Sequence, residues 1–172
     1  MTINELHIQL DLQPENKIGI LEDAATKCNE GYLFVDSNDG HCYLFDENGN
    51  EDDIKKIKSI KDYAFYTCKQ LKSIEIPNSI KSIGNCAFEW CYSLKSIEIP
   101  DSVKCIGDYA FACCKNLKSI VILDSIKSIG YLAFACCESL KSLSFKGKTM
   151  DQVEEMENYP FGIKDESIIR CI

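Results

Sequence analysis

Histidine, arginine and tryptophan are scarce in this 172-residue chain. The two histidines, His7 and His41, lie near the N-terminus, and Trp90 and Arg170 are the only residues of their types. No phosphate-binding glycine loop, zinc-protease helix motif or nucleophile elbow occurs in the sequence. His41 is adjacent to Cys42, but neighbours on a strand point to opposite faces, so the two would not form a nucleophilic pair. We therefore expect no catalytic residue, no cofactor and no metal site.

Long hydrophobic runs are also missing. Even the longest run, of seven residues at 131–137, is too short to cross a bilayer, so we expect no membrane interaction. The N-terminus shows no basic stretch followed by an apolar one, hence no visible signal peptide. Most of the 11 cysteines lie among apolar neighbours, where they are typical of small buried hydrophobic residues. These features favour a reducing, cytoplasmic location.

Charge is distributed unevenly along the chain. The net charge is −8, but residues 1–53 carry 13 acidic residues and 2 lysines, whereas residues 54–145 carry 13 lysines and 8 acidic residues. The isoelectric point of about 4.8 and the scarcity of arginine disfavour direct binding to nucleic acid. The acidic segment 1–53 and the mildly basic segment 54–145 therefore affect which partner binds rather than which fold forms.

A 23-residue unit repeats four times without insertion, at 57–79, 80–102, 103–125 and from 126 onward. This regularity is the signature of a solenoid, whose units bury their apolar residues only against their neighbours. The apolar columns are Ile60, Ile83, Ile106 and Ile129; Phe65, Phe88, Phe111 and Phe134, each after an alanine; Cys68, Cys91, Cys114 and Cys137; Leu71, Leu94, Leu117 and Leu140; Ile74, Ile97, Ile120 and Leu143; Ile76, Ile99, Ile122 and Phe145. We predict that the cysteine column is buried and reduced.

The pattern within a unit predicts its local structure. Alternating residues favour one short strand per unit, at 73–76, 96–99, 119–122 and 142–145, side by side in a parallel sheet. Prolines 77 and 100 end the first two of these strands. Residues 80–83 are a candidate second strand, and Gly84 permits the corner after it. The Ala-Phe stretch is too short for a full helix, so we expect a helical turn there.

The motif L-x-x-I-x-I-P-x-S-V/I-x-x-I-G-x-x-A-F-x-x-C covers residues 54–145 and resembles the BspA-like leucine-rich repeats, also called the Treponema type. The stretch 145–149, leading into a short helix, is similar to endings in bacterial and phage-borne members. The resemblance implies an α/β solenoid, a curved leucine-rich-repeat array with a parallel β-sheet. It also implies protein–protein contact, often on a cell surface. The extra cysteines and the lack of a visible signal or anchor depart from that pattern.

Both ends of the array are predicted to be caps, because terminal coils expose an apolar edge. In residues 146–172, Thr149 and Gln152 can form the capping box of a short helix, and residues 168–172 can add a last strand. Met150, Val153 and Met156 recur on one face of that helix.

Residues 1–53 do not match the repeat. Residues 6–12 alternate like a half-buried strand, Pro14 can open a helix through about Asn29 that Gly31 stops, and residues 32–36 and 41–46 look like a hairpin. The segment is either an N-terminal cap or a small α+β element with its own binding role.

One column of the repeat varies strongly in size: Thr67, Trp90, Cys113 and Cys136. This variation predicts an outward position, where Trp90, Tyr92 and Tyr66 would form an exposed aromatic patch, because aromatic residues are enriched at binding hot spots. The alternative is that Trp90 folds back over Phe88 and covers the core. Cys113 is expected to face Cys136 across the stack. These two and the neighbouring Cys114 and Cys137 are either simple stacked thiols, the preferred interpretation, or a disulfide or a site with four thiolate metal ligands, which the inward position of Cys114 and Cys137 makes geometrically awkward.

Lysines form two further columns outside the apolar core. Lys58, Lys81, Lys104 and Lys127 make one, and Lys72, Lys95, Lys118 and Lys141 make the other. Either column is a solvated face or a surface that attracts an acidic partner, and we include the second among the candidate partner-binding residues.

The sequence therefore favours a non-enzymatic module that binds a protein partner through its solenoid surface. The alternative is an acidic intracellular inhibitor or mimic, whose head at 1–53 occupies the basic groove of a target. Neither the partner nor the oligomeric state follows from the sequence.

Overall fold

The computed structural model describes residues 58–172 in full and, before them, the backbone of four strands. These are β1 (Ala25–Cys28), β2 (Gly31–Val35), β3 (Cys42–Phe45) and β4 (Glu51–Asp52), paired antiparallel in that order. The pairing of β2 with β3, which places Val35 opposite Cys42, confirms the predicted hairpin.

The helix predicted from Pro14 to Asn29 is wrong at its C-terminal end. Residues of β1 pair with β2, and Gly31 begins β2 instead of ending a helix. Strand β3 pairs with only one edge of β2. The backbone groups on the other edge of β2 also need partners, and β1 supplies them by pairing as a strand. The predicted strand at 6–12 and the rest of that helix lie outside the described residues.

Seven short strands follow in the repeats and the C-terminal segment. They are β5 (Ser59–Ile60), β6 (Ser82–Ile83), β7 (Cys105–Ile106), β8 (Ser119–Leu123), β9 (Ser128–Ile129), β10 (Ser142–Lys146) and β11 (Ile169–Cys171). Strands β5, β6, β7 and β9 form one parallel sheet in which each strand is shifted by one 23-residue unit. The predicted second strand of the unit is therefore confirmed.

The predicted sheet at 73–76 and its equivalents is confirmed in only part of the array. Strands β8 and β10 pair over five residues, and β11 adds a third parallel strand. In the first two units a single bridge joins Glu75 to Glu98. Those units carry prolines 77 and 100, which have no N–H to donate, where β8 and β10 pair Leu123 with Lys146. The negative charges of Glu75 and Glu98, which lie opposite each other, weaken the pairing of these two segments further.

The helical turn predicted at the Ala-Phe stretch is wrong. Backbone N–H groups of Tyr63, Phe65 and Thr67 donate across to the next coil at 2.8–2.9 Å, and Tyr66 donates back to Tyr63 O at 3.1 Å. Every second donor thus joins the stack, which an α-helix does not allow because all its interior donors bond within the helix. Two non-glycine residues per coil have φ between 52° and 65°: Tyr63, Thr67, Cys86, Trp90, Tyr109, Cys113, Leu132 and Cys136.

The six predicted apolar columns form the core. The phenylalanine rings stack along the axis, with centroids 5.2 Å apart between Phe65 and Phe88 and between Phe88 and Phe111, and 5.7 Å between Phe111 and Phe134. All four rings are at most 1% exposed. The interior is therefore one continuous core that each coil shares with its neighbours, as expected of a solenoid.

The glycines at the corners serve a different purpose from the one predicted. A Cβ on Gly107 would lie 2.6 Å from the backbone nitrogen of Asn85, and Gly84 and Gly130 are equally crowded. The residue after each glycine is tied to the neighbouring coil, since Asn85 Oδ1 accepts from Asp108 N at 2.8 Å and Asp62 Oδ1 accepts from Asn85 N at 2.7 Å. Close approach of two backbones therefore requires the glycine there.

The predicted C-terminal helix and strand are confirmed. The helix α1 (Met150–Glu154) begins with the Thr149–Gln152 capping box, and its Val153 is fully buried. Phe161 is also fully buried, and its carbonyl accepts from Phe134 N at 3.0 Å, as the next coil would. Residues after 146 thus accept a backbone hydrogen bond from Phe134 of the fourth coil and contribute Val153 and Phe161 to the core.

Candidate partner-binding surface

Trp90 lies on the outer surface of the solenoid, in the turns that follow strand β6. Its side chain is 40% exposed, and its indole Nε1 donates to Glu89 Oε1 at 3.1 Å. Phe88, two residues earlier, is fully buried and is packed between two phenylalanine rings. The outward position predicted for this column is therefore observed at Trp90.

Tyr92 extends the surface made by Trp90. The two rings are stacked with centroids 6.2 Å apart, and Lys115 Nζ sits 5.6 Å from the Tyr92 centroid. Lys115 also forms a 3.0 Å ion pair with Glu138, which raises the pKa of the lysine. Trp90 and Tyr92, called the Trp90–Tyr92 pair below, thus form a fixed aromatic surface with a cation at its edge.

Tyr66 belongs to a second aromatic pair. Its ring meets that of Tyr63 edge to face at 5.7 Å, and the two side chains are 42% and 60% exposed. The sequence reasoning missed Tyr63, which occupies the same column as Cys86, Tyr109 and Leu132. That column varies in size as strongly as the Trp90 column, so the same signal was available for it.

The four lysines of the second column, Lys72, Lys95, Lys118 and Lys141, are all exposed. The backbone N–H of each lysine from the second onward donates to the carbonyl of the lysine one coil earlier, with N···O distances of 3.0, 3.3 and 2.9 Å. Like charges stacked in neighbouring strands destabilise each other, so this column does not help the fold. It lies three residues along the chain from the Tyr92 position.

Two shallow grooves, which the sequence did not predict, lie on the side of the interrupted strands. The larger has a volume of about 640 Å³ and is lined by Glu75, Pro77, Glu98 and Pro100 among others, and the smaller, of about 360 Å³, lies between 96–99 and 119–123. Val121 is 42% exposed at the smaller groove. None of the seven predicted partner-binding residues lines either groove.

The cysteine column is buried in the core, as predicted, except that Cys137 in the last unit is half-buried. Each thiol from Cys91 onward donates to a phenylalanine carbonyl of the preceding coil: Cys91 to Phe65, Cys114 to Phe88 and Cys137 to Phe111, at 3.1–3.2 Å. Burial raises the pKa of the Cys91 and Cys114 thiols well above the usual value, and that of Cys137 to about 12. The column holds protonated, unreactive thiols.

This geometry determines the effect of a serine in the column. A buried hydroxyl without a hydrogen-bond partner would cost about 1–3 kcal/mol. Because Phe88 O is positioned as an acceptor, we instead expect Cys114→Ser to cost less than Cys114→Ala, which loses the donor and leaves a small cavity worth about 1–2 kcal/mol. Urea denaturation of the two variants gives the order, and an alanine variant more stable than the serine variant would contradict it.

In the described part of the chain, no group of three or more His, Cys, Asp or Glu side chains is placed to hold a metal ion. No helix among these residues has the length and apolarity needed to span a bilayer.

Stacked 23-residue coils, a continuous column core and short parallel strands define a leucine-rich-repeat solenoid. The BspA type leucine rich repeat region matches residues 50–164, in 6 copies where four units were predicted. The chain therefore belongs to the BspA-type leucine-rich-repeat family. Family and fold support a repeat protein that mediates protein interactions, and this fold is typical of binding proteins rather than enzymes.

Solved structures agree with this assignment. A leucine-rich repeat protein from Bacteroides ovatus is 32% identical with a TM-score of 0.57, over 66% of this chain and 28% of that one. The T. pallidum protein TpLRR is 25% identical with a TM-score of 0.51, over 69% of this chain and 59% of that one. A leucine rich cell surface protein from Faecalibacterium prausnitzii is 26% identical with a TM-score of 0.50, over 79% of this chain and 43% of that one. This chain thus spans less than two thirds of each of these proteins. No curated protein matches the sequence.

Proposed function

We propose that the chain is a non-enzymatic interaction module that binds a protein partner through the Trp90–Tyr92 pair and the lysine column beside it. The observation that carries the proposal is the exposure of Trp90, the one tryptophan of the chain, whose side chain is 40% exposed. Large aromatic side chains that are ordered before binding lose little conformational entropy when a partner covers them.

The charge pattern supports a partner with an acidic surface. Lys72, Lys95, Lys118 and Lys141 stack in successive coils, and Lys115 adds a cation at Tyr92. An acidic surface on the partner would relieve the repulsion within this column and speed association. Tyr66 and Tyr63 extend the aromatic surface by one coil toward the N-terminus.

The test is affinity capture from the source cell with the full chain, in three forms: wild type, Trp90→Ala and Tyr131→Ala. Tyr131 is the matched control, because it is also an exposed aromatic side chain, at 53%, but lies outside the Trp90–Tyr92 pair. We expect the partner to be retained by wild type and Tyr131→Ala and lost by Trp90→Ala. With the purified partner, Trp90→Ala is expected to weaken binding at least about tenfold while the melting temperature holds.

Equal capture by all three forms, combined with a clear loss of stability in Trp90→Ala, would make Trp90 a cover of the core and reject the proposal. The lysines are tested in the same assay, with Lys118→Glu expected to slow association and Lys127→Glu, from the other column, to leave it unchanged. Two predictions stay open beside this proposal: the cytoplasmic location and the role of the acidic residues 1–53 as a mimic.

A further inference from the structure

Two thiols outside the core lie beside each other on successive coils. Cys113 and Cys136 are one 23-residue unit apart, and Cys113 N donates to Ala135 O at 2.8 Å, so the two segments are bonded neighbours. Their φ angles are 58° and 56°. Their similar φ angles and the bond between the segments place the two Cα–Cβ bonds side by side and in similar directions.

The spacing of the coils suits a covalent bond between these thiols. Hydrogen-bonded neighbouring segments lie about 4.7–4.9 Å apart. The Cα atoms of a disulfide are about 4.4–6.8 Å apart. The Cα spacing therefore suits a disulfide, and its Cβ separation of about 3.5–4.5 Å requires the two side chains to tilt slightly toward each other.

A disulfide of this kind requires a second cysteine stacked on the neighbouring coil and access to solvent. Other cysteines of the described residues lack one of these two features. The inner thiols also stack at 23-residue spacing, but they are buried or half-buried and donate to phenylalanine carbonyls. Cys105 is exposed, but its neighbours in the adjacent strands are Ser82 and Ser128. Cys136 is exposed and Cys113 half-buried, so this pair combines stacking with access to solvent.

We propose that Cys113 and Cys136 form a dithiol site at which a low-molecular-weight disulfide, of the glutathione class, produces a disulfide between the third and fourth coils. The Cys136 thiolate attacks the reagent's disulfide, forms a mixed disulfide and releases one reagent thiolate. The Cys113 thiolate then attacks Cys136 Sγ and releases the second. Two protein thiols lose two electrons and two protons, and one reagent disulfide becomes two thiols.

The charged groups around the pair set its rate. Burial and the neighbouring Cys136 raise the pKa of Cys113, Glu89 raises it further, and Lys115 lowers it. Because thiolates are the attacking species, the closing step accelerates as pH rises, close to about tenfold per pH unit below that pKa.

The experiment treats the reduced full-length Cys105→Ser protein with oxidised glutathione and measures intact mass, tryptic peptides and melting temperature. The Cys105→Ser background removes the other exposed thiol from the tryptic peptide that contains Cys113. We expect a peptide linked through Cys113 and Cys136 that carries no glutathione, forms faster at higher pH, and accompanies a melting temperature raised by several degrees. Adding Cys136→Ser should abolish the link, and adding Cys113→Ser should stop the reaction at glutathione bound to Cys136.

Glutathione retained on both cysteines, a link between other cysteines, or a folded protein that stays unmodified at both positions would each overturn the proposal. Circular dichroism of the single variants shows that the fold is intact. The outcome does not depend on the partner of the Trp90–Tyr92 pair.

Discussion

Phe111→Ala is expected to lower the free energy of unfolding by about 3–5 kcal/mol, the largest loss among the substitutions considered. Phe111 is fully buried and its ring stacks between Phe88 at 5.2 Å and Phe134 at 5.7 Å. Removing the ring opens a cavity that the neighbouring coils cannot close, because their backbones are held in register by hydrogen bonds on several sides. Urea denaturation followed by far-UV circular dichroism measures the loss.

Two controls separate the cavity from other effects. Phe111→Leu keeps much of the volume and should lose clearly less. Tyr131→Ala removes an exposed ring whose contact is edge to face with Tyr109 at 5.9 Å, and it should cost no more than about 1.5 kcal/mol. If Phe111→Ala cost no more than Tyr131→Ala, the stacked column would not be the core of the solenoid.

Gly107→Ala should cost about 2–3 kcal/mol although it adds only one methyl group. The new Cβ would sit 2.6 Å from Asn85 N and from the carbonyl carbon of Gly84, and backbone atoms cannot rotate away as a side chain would. The third coil would have to move off the second, which weakens the bond from Asp108 N to Asn85 Oδ1.

Asn85→Ala is the matched variant, because it removes that acceptor without adding bulk and should cost about 1 kcal/mol. Lys127→Ala, an exposed change on the next coil, should be nearly neutral. The melting temperatures should fall in the order Gly107→Ala, Asn85→Ala, Lys127→Ala, with the largest decrease first. A Gly107→Ala protein as stable as wild type would show that the coils are not in close backbone contact there.

The candidate site was only partly accessible from the sequence. Size variation within a column identified Trp90 as an outward position, and the structure pairs it with Tyr92. The same variation did not reveal that Tyr66 pairs with Tyr63, because that contact depends on ring orientations at two corners of one turn. The grooves beside Glu98 and Val121 depend on where strand pairing stops, which no single unit of the repeat shows.

The sequence by itself determined the period, the six core columns, the C-terminal capping box and the solenoid. Because the apolar residues recur every 23 positions, they are buried together when the equivalent residues of successive coils stack on one another. Tertiary structure decided how the backbone is bonded between those columns. The left-handed residues and the tight glycine corners occur where neighbouring coils are hydrogen-bonded, and the strands break where prolines 77 and 100 cannot donate such a bond. Most of these bonds join residues 22 to 24 positions apart, whereas local propensity acts over only a few neighbouring residues and therefore does not predict them.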